Sequence, residues 1–136
     1  GFIAGCQALG LKASLAYAAN YSFEAGRNAM TQLLGSPLAQ AYFCGDDVIS
    51  IGALSALRDA GKNVPGDIGL LGVNDMEMAG WNGIDLTTIR QPIKEIVTAS
   101  LDQVGSMLND PTRAPEARLF ACSVIERATL LPPVQT

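Results

Sequence analysis

The chain has 136 residues, 49% hydrophobic and 16% charged, the proportions of a globular domain with one core, which excludes a disordered segment. Nine Lys and Arg against thirteen Asp and Glu leave a net charge of −4, so this segment is not expected to grip a phosphate backbone. His is absent, which excludes the usual zinc sites, His-based triads and His general bases, and no metal or cofactor is expected.

The chain opens with GFIAGCQALG, in which Phe2, Cys6 and Leu9 recur at helical spacing and Gly10 is placed to end the helix. This helix has no N-cap and no initiating Met, which suggests a segment cut from a longer chain. LKASLAYAA predicts a short strand over Ser14 to Ala19, closing at Asn20 and Tyr21. Ser22 then caps a helix from Phe23 to Leu34, with Gly26, Ala29, Met30, Leu33 and Leu34 on its apolar face and Glu24 in the first turn. Gly35 ends that helix.

The next stretch organises the rest. Ala39 to Cys44 and Ile68 to Val73 are apolar runs too short for helices and too apolar to alternate, as strands buried on both faces of a parallel sheet are. Between them Asp46 or Asp47 caps a helix that runs to about Ala60, with Gly61 beyond it, and Asn63 to Asp67 forms a turn. Strand, helix and strand make a right-handed crossover, so both strands deliver their carboxyl ends to one edge. Further on, MEMAGWNGID is irregular and LTTIRQP is a short strand or crossing segment. Pro92 suits a first helical position, and Ile93, Ile96, Val97, Ser100, Leu101, Val104, Met107 and Leu108 predict a regular buried stripe. Asn109-Asp110-Pro111 stops this helix. Arg118 to Glu126 is a closing strand and TLLPPVQT a loose tail.

No run reaches the roughly eighteen apolar residues of a membrane-spanning helix. The N-terminus also lacks the basic flank and cleavage site of a signal peptide. The expected setting is cytoplasmic, with no membrane partner. Cys6, Cys44 and Cys122 are odd in number, widely spaced and set among apolar neighbours, so they read as small buried hydrophobes.

Chemistry-bearing signals are few. Gly66, Gly69 and Gly72 recur every third residue without making a phosphate-binding loop, and no Ser, Thr or Cys has a partner base. Asn20-Tyr21-Ser22 is a chance glycosylation sequon. Two loops stand at the carboxyl edge of the strands, where ligands bind in open α/β sheets: Asp46-Asp47 and Asn74-Asp75. Each pair can equally be a helix cap or a turn with its partner solvated. Tyr21 closes the preceding strand on that edge, and an aromatic face beside amides and carboxylates suits a sugar or a flat ring, although a Tyr packed on its own helix fits as well. Met76, Met78 and Trp81 form an apolar cluster that is either core or a protein interface.

Taken together, YFCGDDVISIGALSALRDAGKNVPGDIGLLGVND, LTTIRQP and CSVIERATLLPP resemble the effector-binding core of the lactose/galactose-repressor (LacI/GalR) family of bacterial transcription regulators, over essentially the whole chain. GFIAG and YSFEAG resemble the same family's opening helix and its aromatic-then-helix pattern. The resemblance implies an α/β, Rossmann-like parallel sheet flanked by helices, an incomplete lobe of periplasmic-binding-protein type. Residues 1–90 would form most of the C-terminal lobe, 91–119 a return segment of the N-terminal lobe, and 120–136 the closing strand and tail, with the DNA-binding domain absent. It further implies an effector-stacking aromatic at Tyr21, polar ligand contacts at Asp46 and Asn74, and a crossover contact at Gln91. Asp46 stands where the family often has Asn, and Asn74 where it often has Asp, so donors and acceptors differ and the family's effectors do not carry over. The family dimerises through this lobe, which gives Ile51, Ser55, Met78, Trp81 and Asn82 an interface role.

Three functions compete on this sequence. The first is the sensing half of a repressor, whose sugar or nucleobase-like effector shifts two lobe arrangements and thereby alters operator binding by the absent domain; it catalyses nothing. The second is the sugar-binding component of a transporter, against which LTTIRQP speaks. The third is a small α/β enzyme with Asp46 or Asp47 as base, which no motif supports.

Overall fold

The computed structural model of the chain describes residues 1–131. Its elements are α1 (Phe2–Ala8), α2 (Phe23–Leu33), β1 (Ala41–Phe43), α3 (Asp47–Asp59), β2 (Gly69–Val73), a 3-10 turn (Glu77–Gly80), β3 (Thr88–Arg90), α4 (Ile93–Asn109) and β4 (Ser123–Ile125). The four strands lie in the order β1-β2-β3-β4. β1, β2 and β3 run parallel, with Tyr42 opposite Leu70 and Gly72 opposite Thr88, while β4 returns antiparallel with Val124 opposite Ile89. The α/β fold and its parallel-dominant sheet are those expected. Among the described residues no helix is long and apolar enough to cross a membrane.

α3 is the centre of the packing. Asp46 begins it in extended backbone and accepts the Val48 N–H at 2.8 Å, and Gly61, at φ +70°, ends it in a conformation a side chain would resist. Its inward face puts Ile51, Ala53, Leu54, Ala56 and Leu57 into one cluster with Met30, Leu70, Ala79 and Leu86. Burying a side chain of the Leu class contributes about 1.5–3 kcal/mol, so Leu54 and Leu57 with Leu70 and Leu86 dominate this core. α2 crosses α3 at glycines. A Cβ on Gly52 would overlap the Phe23 carbonyl oxygen, and one on Gly26 the Ile49 carbonyl oxygen, so the two backbones touch. Ser22 accepts the Ala25 N–H at 3.1 Å and fixes where α2 starts.

Four expectations fail on one physical point, that an apolar pattern needs a surface to pack on. Residues 14–19 form no strand: among the described residues none of their backbone groups is hydrogen-bonded, and Leu15 and Tyr17 are exposed. The stripe on α4 is not buried; no residue of that helix is, and Leu101 is 67% exposed. The closing strand shrinks from 118–126 to Ser123–Ile125, because only those residues face β3. Cys122, just outside that pairing, is exposed and not a buried hydrophobe.

The tail departs in the opposite sense. Thr129 is buried: its hydroxyl donates to the Leu70 carbonyl at 2.8 Å and accepts the Thr87 N–H at 2.9 Å, while the Leu70 N–H reaches the Thr129 carbonyl at 2.7 Å. That residue joins β2 to the approach of β3 and is not loose. The rest of the expected tail, from residue 132 onward, lies outside the described residues.

Candidate functional site

β1 and β2 are parallel neighbours, so the loops after them open on one edge of the sheet. Asp46 uses one carboxylate oxygen to cap α3 and the other to accept from Asn74 Nδ2 at 2.8 Å. Gln91, just past β3, donates from Nε2 to Asn74 Oδ1. Three residues named from the sequence, Asp46, Asn74 and Gln91, therefore form one hydrogen-bonded row across three strand ends. Amide N–H groups and carboxylate or carbonyl oxygens alternate along it, so it can donate to and accept from vicinal hydroxyls. Tyr21 is not in the row. The residue is 78% exposed, its side chain makes no hydrogen bond among the described residues, and it precedes the α2–α3 crossing.

The row is held by two acids behind it. Asn74 and Asp75 both have positive φ, +105° and +51°, a costly pairing for two non-glycine residues. Asp75 is nearly buried, with 6% of its side chain exposed, and is gripped from two sides. Arg90 Nε donates to its Oδ2 at 2.6 Å and Arg127 Nη2 to its Oδ1 at 2.7 Å. Arg127 also donates from Nη1 to the Leu86 carbonyl at 2.8 Å. Asp47 turns inward from the first turn of α3, where it is fully buried, accepting the Thr88 hydroxyl at 2.6 Å and the Met76 N–H at 2.7 Å. Of the two readings left open for each acidic pair, Asp46 is the cap, and Asp47 is buried instead of solvated. Gly72 leaves space for it, since a Cβ there would overlap Asp47 Oδ1 and come within 2.9 Å of Leu86 Cδ2 and 3.0 Å of Ser50 Oγ.

Sequence reasoning missed Thr88 and Arg127, and it named Asp47 without its burial. One signal was available: the side chains of adjacent residues diverge, so the member of each pair that does not face the edge is free to turn inward.

The acids titrate in opposite senses. Burial pushes the Asp47 carboxyl above its ordinary value, partly offset by its bonds from Thr88 and Met76. Burial acts in the same direction on Asp75, but the hydrogen bonds and charges of Arg127 and Arg90 outweigh it and hold that carboxyl below the ordinary value. A depressed folded-state pKa means stability that is complete above 3.8, the ordinary value, and lost as pH falls through the folded value. Urea unfolding of Asp75→Asn against pH is therefore expected to show a deficit at neutral pH that narrows below that value. A deficit unchanged down to the acid limit would contradict it.

Burial raises the Cys44 thiol to about 11, against a smaller opposing effect of its bond to Ser50, so it is no nucleophile at neutral pH. Of the residues assigned to an interface, Ile51 is 9% exposed and belongs to the core, and Ser55 accepts from Arg27 Nη1 at 3.1 Å. Met78 packs against the core, Asn82 is exposed, and the Trp81 ring is 56% exposed beside them.

Comparison with known proteins follows the same lines. The sequence profile of the periplasmic binding protein-like domain matches residues 1–130. The ribose operon repressor of Escherichia coli (strain K12) is 34% identical over 111 residues, which is 81% of this chain and 34% of the repressor. The HTH-type transcriptional repressor CytR of the same organism is 31% identical over 132 residues, 95% of this chain and 39% of CytR. Among solved structures, a LacI-family transcriptional regulatory protein from Corynebacterium glutamicum superposes with a TM-score of 0.80 at 29% identity, covering 97% of this chain and 52% of that one. The chain thus spans between a third and two fifths of the length of these curated relatives.

Proposed function

Because the chain belongs to the periplasmic binding protein-like domain family, we propose that it is the effector-sensing and dimerisation portion of a bacterial LacI/GalR-type transcriptional repressor, taking a small sugar-like ligand at the Asp46–Asn74–Gln91 row. The observation that carries this reading is the row itself. Its donors and acceptors lie at the carboxyl edge of the sheet, where an α/β fold places its ligands, and among the described residues the Cys44 thiol is raised out of the nucleophilic range while the Asp47 carboxylate is buried and occupied by Thr88 and Met76. A binding role fits this chemistry and a catalytic one does not.

The relatives' names support regulation over transport, since the ribose operon repressor and CytR are both repressors. The first name also favours a pentose as the sugar to try first. Operator DNA would be engaged by an HTH domain, for which the greater length of those relatives leaves room. Tyr21 would stack on the ligand once a second lobe closes over the row. Residues 1–90 are assigned to one lobe and 91–119 to a return segment of the other, a division supported by the uncovered apolar face of α4. Homodimerisation would use Trp81, Met78 and Asn82, with Ser55 on α3 and Ile51 contributing only the little of it that the core leaves exposed.

The test is calorimetric titration of ribose, other sugars and nucleosides into the longest chain that carries this segment, in wild type, Asn74→Ala and Tyr21→Ala. Losing the Asn74 amide is expected to weaken the one heat-producing ligand at least tenfold, the equivalent of about 1.4 kcal/mol, and losing the Tyr21 face by a similar factor. Unchanged binding in both variants would place the ligand elsewhere.

A further inference from the structure

Asn74 is held by its own bonds to Asp46, Gln91 and the Ile89 carbonyl, and also by the residues that follow it. Two successive non-glycine residues at positive φ return to ordinary backbone unless something keeps them there, and further contacts reach the two residues after Asn74 from distant parts of the chain. Met76 is tied to Asp47 on α3, and Asp75 is tied to Arg90 at the end of β3 and to Arg127 just beyond β4. Those Arg residues are 15 and 52 positions away in sequence, and their strands are the ones on which the chain leaves this sheet toward α4 and comes back to it.

We propose that Asp75 is a positioning residue that couples the polar row to both of these strands, so that the placement of Asn74 and Gln91 and the placement of β3 and β4 change together. The inference rests on the reading of the row as the effector site. In that setting it gives ligand occupancy a direct mechanical link to the two chain crossings, through one carboxylate shared by two guanidinium groups. Gln91 follows Arg90 directly, so a β3 released by Asp75 carries Gln91 away from Asn74. Both guanidinium groups bind at short range and Arg127 is mostly buried, which makes the link stiffer than an exposed ion pair.

The test is nuclear magnetic resonance of the side-chain amides of Asn74 and Gln91 in the 136-residue chain, without ligand and during titration with ribose. The variants are Asp75→Asn, Arg127→Lys and, as a control at an exposed ion pair, Asp59→Asn, which loses its contact to Arg27. In Asp75→Asn both amide signals are expected to shift and broaden while core methyl signals of Leu54 and Leu57 stay in place, and the ribose response is expected to weaken at least about fivefold. Arg127→Lys is expected to produce the same displacements to a smaller extent, since one ammonium nitrogen replaces the two Nη atoms that reach Asp75 and the Leu86 carbonyl separately; it carries the test if Asp75→Asn fails to fold. Amides that stay at their wild-type positions in a folded Asp75→Asn variant would overturn the coupling. The ligand-free shifts decide the coupling even if the 136-residue wild type ignores ribose, because the row alone lacks the second lobe that would close over a ligand.

Discussion

Replacing Gly52 with alanine is expected to destabilise the fold by about 3 kcal/mol, the upper end of what overpacking usually costs. The added methyl group would overlap the Phe23 carbonyl oxygen and lie 2.7 Å from the Arg27 nitrogen. Neither obstacle is a side-chain tip that can turn away; both are backbone of α2, so the helix itself must move. Moving it also pulls Met30 from the core. Gly26→Ala meets the same crossing from the other helix, at Ile49, and is expected to cost about as much. The double variant should cost clearly less than the two single effects added, because the first methyl group has already separated the helices. Urea unfolding with an unchanged m-value is the measurement. A shift worth under about 0.5 kcal/mol, typical of a neutral surface change, would show that the helices do not approach this closely.

The second large effect is expected at Asp47. Alanine there strands the buried Thr88 hydroxyl, at about 1–3 kcal/mol for an unsatisfied buried group, and takes away the acceptor of the part-buried Met76 N–H at a smaller cost. Part of that cost is returned. The raised pKa of Asp47 shows that the folded state disfavours its charge, and removing the carboxylate removes that penalty. A net loss on the order of 3 kcal/mol is the expectation for Asp47→Ala. Asparagine should do far better, because its amide oxygen can take the Met76 N–H while the Thr88 hydroxyl reverses and accepts from its NH2.

The pH dependence separates these cases. A folded pKa above 3.8 means that the contribution of Asp47 to stability is greatest below that value and declines as pH rises toward the folded pKa, the reverse of Asp75. Asp47→Asn should abolish that decline in a stability–pH profile. An Asn variant as unstable as the Ala variant at neutral pH would mean that the carboxylate charge itself is needed there.

These substitutions also mark where sequence reasoning succeeds and where it stops. Ser22 and Asp46 were recognisable as caps because capping depends on neighbours two or three residues away. β1, α3 and β2 were recognisable for a related reason: a crossover unit is contiguous, and its topology alone sends Asp46 and Asn74 to one edge. Gln91 joined them through the family resemblance and not through spacing. What escaped depends on partners far along the chain. The periodicity of Ile93, Val97, Leu101 and Val104 tells correctly which residues share a face, but not that the described chain offers that face nothing to pack on. Residues 14–19 have strand composition without a neighbour to pair with. Asp47 and Thr129 failed in the other direction, as polar residues in stretches read as solvated or loose whose partners lie 41 and 59 positions away.

Thr129 bears on the order in which the molecule is made. β2 and β3 can pair as soon as both have been synthesised, yet the Leu70 carbonyl and the Thr87 N–H both wait for this one hydroxyl, which leaves the ribosome dozens of residues later. Until then the sheet has an open seam between two strands that already stand side by side. Contacts closed over such separations form slowly, because loop entropy is spent before any bond is gained. The segment after β4 is therefore the last part of the described chain needed to complete the hydrogen bonding between β2 and the approach to β3.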